Sequence, residues 1–236
     1  MWRLRVNELA LFAGAGGGIL ASDLLGISTI CAVELNEFCR KVLVKRQSTG
    51  ELKSKFPLWD DIYTFDGFPW KHEVNLVSGG FPCQAFSAAA HGNNTAVDLW
   101  PEMRRVVSEV QPECVFAENV TVRAIDKAGD DLEQMGYKTK AISLSAKDLG
   151  ADHNRKRYWL LAYSDNAGEL LRKFYAETPF SEELYSSLWK SYPRESRVSD
   201  GVAYRMDRLR ATGNGQVPIV AATAFYLLVK EALNEG

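Results

Sequence analysis

Six short apolar runs rich in β-branched residues punctuate the first two thirds of the chain: Glu8–Phe12, Ser28–Val33, Val74–Ser78, Cys114–Ala117, Lys140–Leu144 and Tyr158–Ala162. Runs this short suit strands better than helices. Between them lie amphipathic stretches. Asn36–Arg46 carries Phe38, Val42 and Val44 among charged residues, and Leu99–Val110 carries Met103, Val106 and Val107. Apolar residues three and four apart on a polar background make one face of a helix. Strand and helix alternating in this way predict an α/β fold with a mostly parallel sheet and helices on both faces, because parallel neighbours need a crossover between them. From Tyr163 to about Val202 the rhythm gives way to Ser, Glu, Tyr and Pro, and a clean apolar helix over about Val217–Leu233 follows. The pattern divides the chain into a main domain over 1–162, a small lobe over 163–202, and a C-terminal segment over 203–236 whose helix returns to the main domain.

Composition narrows the class. The 236 residues are 46% hydrophobic and 25% charged, and a chain of this size buries about 70–75% of its unfolded surface without a staple. No run of about eighteen apolar residues occurs, and the start, Met1-Trp2-Arg3-Leu4-Arg5, soon reaches the polar Asn7-Glu8. Neither a membrane span nor a signal peptide is expected. Cys31, Cys39, Cys83 and Cys114 show no C-x-x-C spacing and the three histidines are scattered, so no disulfide framework or structural zinc is expected and a reduced cytoplasm fits. The net charge of −2 hides an uneven distribution: residues 1–120 hold 11 Lys/Arg against 14 Asp/Glu, the remainder 17 against 16. Lys190, Arg194, Arg197, Arg205, Arg208 and Arg210 form a local basic strip. Such a strip suits phosphate contacts, and a solvated surface of mixed charge equally.

Four chemistries fall at predicted strand ends. Phe12-Ala13-Gly14-Ala15-Gly16-Gly17-Gly18 carries the first strand into a glycine loop before a helix, where the backbone can approach a ligand and the helix start supplies free N–H groups. Glu34, twenty positions after Gly14 at the end of the next run, is placed to accept the hydroxyls of a ribose; a tight turn with a surface glutamate gives the same pattern. Cys83, in Gly80-Phe81-Pro82-Cys83-Gln84, follows a central strand, where open α/β sheets put their ligands and where a nucleophilic thiolate needs to be. The other cysteines sit in apolar or helical contexts and read as core residues. Glu118, directly after the next strand, would have its pKa raised by partial shelter and could donate a proton near neutrality; a helix-capping Glu-Asn pair is the alternative.

The blocks Phe12–Gly17, Glu34, Asp61-Ile62, Gly80–Ser87, Glu118-Asn119-Val120, Asn154-Arg155-Lys156-Arg157 and Gly213-Asn214-Gly215-Gln216-Val217-Pro218 span nearly the whole chain. In this order, and above all in Pro-Cys-Gln followed by Glu-Asn-Val, the chain resembles the DNA (cytosine-5) methyltransferases. The resemblance implies a Rossmann-like methyltransferase fold, S-adenosylmethionine (AdoMet) as cofactor, no metal, and a terminal helix that completes the AdoMet pocket. It assigns Phe12 and Leu35 to the two adenine faces, Gly14 and Gly16 to the methionine end, Glu34 to the ribose, and Asp61 to the adenine amino group, with Asp60 and Asp66 as rivals for that role. Asn214 and Val217 would contribute from the returning segment.

The same resemblance implies that Cys83 adds to C6 of a flipped-out cytosine, that Glu118 serves N3, and that Arg157 and Arg155 clamp the carbonyl side and favour the thiolate. Double-stranded DNA is the implied partner, with Gln84, Ser87, His91, Arg194 and Arg197 as candidate contacts, in a cytoplasmic, nucleoid-associated protein. The small, polar stretch Ala88–Thr95 suits a lid over the base, or an ordinary surface loop. Tyr185, Trp189 and Tyr192 suit DNA contact or a small lobe core. Two departures stand out: His153 replaces the family's usual Gln, and the segment from Tyr163 to Arg210 is much shorter than the family's variable DNA-reading region. A short target of about two to four base pairs is expected, since each base contact needs its own side chain. A compact phage-like or restriction-associated enzyme with a cognate endonuclease, a solitary enzyme, and a chain dependent on a separate recognition subunit are all compatible. So are an RNA cytosine-5 methyltransferase and a catalytically silent DNA-binding subunit of a split enzyme.

Overall fold

In the computed structural model, which describes residues 6–82, 98–178, 180 and 215–234, each of the six apolar runs becomes a strand. They are β1 (Asn7–Leu11), β2 (Ser28–Val33), β4 (Leu76–Gly80), β5 (Cys114–Asn119), β6 (Lys138–Ser145) and β7 (Lys156–Tyr163). β6 and β7 run beyond their apolar centres because they pair with each other along their whole length, from Lys138 opposite Tyr163 to Ser145 opposite Lys156. One further strand, β3 (Leu58–Trp59), pairs with Ala32 and Val33. Two residues are too few to show a period.

The sheet order among the described residues is β3-β2-β1-β4-β5-β7-β6. The β3, β2, β1, β4 and β5 pairings are parallel, whereas β7 is antiparallel to both β5 and β6. The sheet is thus mostly parallel, as expected, with one reversal. That reversal brings the start of β7 to the edge where β5 ends, with Glu118 opposite Trp159 and Asn119 opposite Tyr158.

Helices cover both faces. Against one lie α1 (Gly17–Leu25), α5 (Gly168–Glu177) and α6 (Pro218–Asn234), packed on Leu76, Phe116, Trp159 and Leu161. Phe116 stacks on Trp159 with centroids 5.4 Å apart and receives the edge of Phe225 at 5.1 Å. α6 is buried on most sides, from Ile219 and Val220 to Leu228 and Val229, which explains why it reads as apolar all round. Leu170, Leu171 and Phe174 of α5 belong to the same core, so the first part of the segment expected as a lobe is packed onto the sheet; residues 181–202 lie outside the described ones. Against the other face lie α3 (Trp100–Val110) and α4 (Val122–Gln134). α3 buries Met103, Val106 and Val107 completely, as their spacing predicts. α4 has the same spacing in Ile125, Ala128 and Leu132 and is capped by Thr121, which accepts from the Ala124 N–H. α2 (Glu37–Thr49) is capped by Asn36, which accepts from the Cys39 N–H at 3.0 Å. Its buried residues are Cys39 and Leu43, while Val44 is exposed. Leu43 meets Leu52 and Phe56, and that loop contact chooses the face. Cys31, Cys39 and Cys114 are all buried, and burial pushes the Cys31 thiol up to about 11. No described helix is long and apolar enough to cross a membrane.

One charged residue lies deep in this core. Glu8 on β1 is 1% exposed and accepts hydrogen bonds from Ser22 (2.7 Å), Thr29 (2.5 Å) and Ser78 (2.6 Å). The carboxyl thereby joins α1, β2 and β4 to β1. Burial raises its pKa, the three hydroxyls oppose that rise, and the net direction is upward. A raised folded-state pKa means stability that is complete below the unfolded value and is lost as pH rises through the folded one. Glu8→Gln should match the wild type in urea unfolding at pH 4 and exceed it at pH 8. Between the two pKa values the gap should grow by about 1.4 kcal/mol per pH unit. Equal stability at both pH values would place the charge cost elsewhere.

Candidate active site

The parallel strands end on one edge, and the loops that follow them build the site. After β1 the chain turns through three left-handed residues, Phe12 (φ 52°), Gly14 (φ 55°) and Gly16 (φ 93°). Glu34, just past β2, fixes that turn: its Oε2 accepts from the Gly14 N–H at 2.7 Å and its Oε1 from the Asn36 N–H at 2.7 Å. The Ala13 N–H adds a bond to the Val33 carbonyl at 3.1 Å, and the Glu34 N–H one to the Trp59 carbonyl at 2.9 Å. Asp61 follows β3 and opens a helical turn over Ile62–Thr64, accepting from the Tyr63 N–H at 2.9 Å. Around these carboxylates, Leu35 is 70%, Tyr63 60% and Trp59 45% exposed. Large apolar side chains beside two carboxylates suit a flat heteroaromatic ligand with polar edges.

The other half of the site forms where β4, β5 and β7 meet. Glu118 is 6% exposed, and Arg157 Nε lies 3.0 Å from its Oε1. Burial raises the Glu118 pKa; Arg157, a hydrogen bond from the Gln216 side chain and Arg155 oppose the rise, and burial wins. The carboxyl fits because residue 80 is glycine: a Cβ there would stand 2.6 Å from Glu118 Oε2 and 3.2 Å from Gln216 Nε2. The neighbouring Asn119 donates from Nδ2 to the Phe81 carbonyl at 2.9 Å and accepts from the Thr121 N–H at 3.1 Å. It therefore ties the end of β5 to the turn leading into Pro82. Arg155 donates to the Gly215 carbonyl at 2.5 Å, and burial followed by the nearby Arg157 lowers its pKa.

The residues expected at a site fall into two groups. Phe12, Gly14, Gly16, Glu34 and Asp61 follow β1, β2 and β3, with Leu35 exposed next to Glu34; Glu118, Arg155 and Arg157 gather at the β5–β7 edge. Arg157 Nε reaches the acid itself rather than standing apart from it. Val217 packs against the core beneath α6. Cys83, Gln84, Ser87, His91, Arg194, Arg197 and Asn214 lie outside the described residues, as do the stretches 88–95 and 181–210. His153 lies 3.5 Å from Asp152. The residues missed in the sequence are Asn119, Gly80 and Gln216 as structural partners of the site. Each stands in a quoted block, but nothing in its spacing shows what it touches.

Comparison with known proteins gives the family and the fold. The family model for C-5 cytosine-specific DNA methylases matches residues 6–211. The type II methyltransferase M.CviJI of Paramecium bursaria Chlorella virus IL3A is 30% identical over 66% of this chain and 42% of its own. The type II methyltransferase M1.HphI of Haemophilus parahaemolyticus is 31% identical over 71% of this chain and 48% of its own. The chain thus spans less than half the length of these relatives. Among solved structures, the S. pombe Dnmt2 methyltransferase superposes with a TM-score of 0.55 at 22% identity, over 69% of this chain and 50% of that one; this similarity speaks to the fold.

The contact at residue 80 can be tested directly. Gly80→Ala must displace either the Glu118 carboxyl or the Gln216 amide, so it should destabilise the protein by about 1–3 kcal/mol in urea unfolding. A stability unchanged within error would show that the space is not shared.

Proposed function

The chain belongs to the C-5 cytosine-specific DNA methylase family, and from that premise we propose that it transfers a methyl group from AdoMet to C5 of a flipped-out cytosine in double-stranded DNA. The observation that carries the reading is the buried Glu118, with Arg157 Nε at 3.0 Å, beside the strand end whose chain continues through Pro82 to Cys83.

The chemistry explains why such an edge is needed. C5 of cytosine belongs to an aromatic ring and is a poor nucleophile. Addition of the Cys83 thiolate to C6 makes C5 enamine-like. Charge then moves towards N3, where a carboxyl with a raised pKa can give a proton or a hydrogen bond. Arg157 opposes that rise. Guanidinium groups brought beside Cys83 would also favour a thiolate over a thiol. Once C5 carries the methyl group, a base takes the C5 proton, the electrons of that bond re-form the C5–C6 double bond, and the C6–S bond breaks to expel Cys83 as thiolate. AdoMet, when bound, supplies a methyl group already activated on a sulfonium. The residues present fit it: the left-handed Gly14 has no atom within 4 Å of where its Cβ would stand, so the loop leaves room for a ligand. Glu34 and Asp61 offer acceptors, and Leu35 and Phe12 apolar surface.

None of this is possible within a base stack, and extrusion costs a few kcal/mol. Gln84, Ser87 and His91, close to Cys83 in the chain, are proposed to hold the DNA around the extruded base, with Arg194 and Arg197 on phosphates. A cognate restriction endonuclease is a proposed partner. Labelled AdoMet offered with duplex DNA or with tRNA tests the substrate, and label in duplex cytosine is expected.

Two variants test the parts. Cys83→Ser should lose all but a few per cent of turnover while AdoMet affinity in isothermal titration stays close to wild type; substantial residual turnover would exclude the covalent route. Glu34→Ala should weaken AdoMet by roughly 1–3 kcal/mol through lost charged hydrogen bonds. Unchanged affinity would remove Glu34 from the pocket.

A further inference from the structure

Gln216 stands where the two halves of the site meet. Its backbone oxygen occupies the space that a side chain at Gly17 would need, 2.1 Å from the position of a Cβ, and its Oε1 lies 2.6 Å from where a Cβ of Gly18 would be. Its Nε2 faces Gly80 and the Glu118 carboxyl on the opposite side. The first turn of α1, which follows the glycine loop, and the carboxyl at the end of β5 therefore touch the same side chain. The backbone around it is held: Arg155 grips the Gly215 carbonyl at 2.5 Å, and α6 begins two residues on.

The chemistry of the amide matches this position. A carboxyl that takes up a proton gains an O–H donor while its other oxygen still accepts. Arg157 can only donate, so it favours the charged form over the neutral one. The Gln216 amide carries both a donor and an acceptor, and half a turn about its last torsion exchanges them. Glycine at 18 and at 80 leaves the end of the side chain without a Cβ neighbour on either flank. We propose that Gln216 is a positioning residue for Glu118, tying its carboxyl at the sheet edge to the start of α1 and favouring the charged form by donating to it. This assignment rests on the proposed function for its consequence in turnover, but not for the contact itself.

The test separates the two. In the 236-residue chain labelled with [13Cδ]glutamate, the Glu118 resonance is identified by its loss in Glu118→Gln, and its titration is followed by NMR without DNA or AdoMet. Gln216→Met fills a similar volume but cannot donate. It should raise the Glu118 midpoint by about one pH unit, a roughly tenfold change in its ionisation constant. Gln216→Glu places like charge beside the carboxyl and should raise it too, so the test stands on either variant if the other fails to fold. An unchanged midpoint in a folded variant overturns the proposal.

With duplex DNA and AdoMet, Gln216→Met should lower kcat by roughly tenfold to a hundredfold, within the range of general acid catalysis, and shift the pH profile of kcat in the direction of the NMR midpoint. In a Glu118→Gln background the same change should cost less than about threefold, because residues that act through one another are not additive. A full loss in that background overturns the proposal. If the wild-type chain methylates no DNA while the NMR midpoint still moves, the proposed function fails and the positioning role stands.

Discussion

A carboxyl buried at the end of a central strand is the demand around which this site is organised. Taken out of water, Glu118 needs partners for both of its oxygens. β5 cannot provide them, since neighbouring side chains along a strand point to opposite faces. They come instead from Arg157 at the start of β7 and Gln216 before α6. Each reaches the carboxyl because a larger feature of the fold delivers it: the antiparallel turn of β7 and the return of the C-terminal helix across the α1 face. A fully parallel sheet would have carried Arg157 to the opposite edge.

The glycine loop obeys the same logic from the other side. Its left-handed turn needs something to hold it, and Glu34 does so by accepting from the Gly14 N–H while joined through its own neighbours to β2 and β3. The geometry of the loop is thus set by the strand ends rather than by the loop's own preferences. Beneath it, Glu8 bonds to hydroxyls on α1, β2 and β4. These are the elements that flank the loop, so a buried polar cluster braces the floor of the candidate cofactor site.

The glycines show how closely the halves are fitted. Those at 17, 18 and 80 come from two distant segments, yet all three leave room for Gln216, and the last also leaves room for Glu118. Close packing at a junction of this kind transmits displacement, because a dense interior has few soft alternatives. A ligand that moved the start of α1 would be felt at the acid through one side chain.

What could be read from the chain alone was whatever is periodic or local. The six apolar runs became strands, Met103, Val106 and Val107 became the buried face of α3, and the apolar stretch near the C-terminus became α6, because alternation and helical spacing follow directly from backbone geometry. The family was legible too, since Gly14, Glu34, Glu118 and Arg157 stand in blocks whose order marks it. Only the tertiary structure decided the rest. β3 is too short to carry a period, and α2 turned Leu43 inward rather than Val44 because Leu52 and Phe56 met it there. Arg157 found Glu118 through strand reversal, and Gln216 found three glycines and a carboxyl through the return of the chain. Desolvation and steric exclusion depend on separation in space, and these partners are distant in sequence, so no spacing along the chain could encode their meeting.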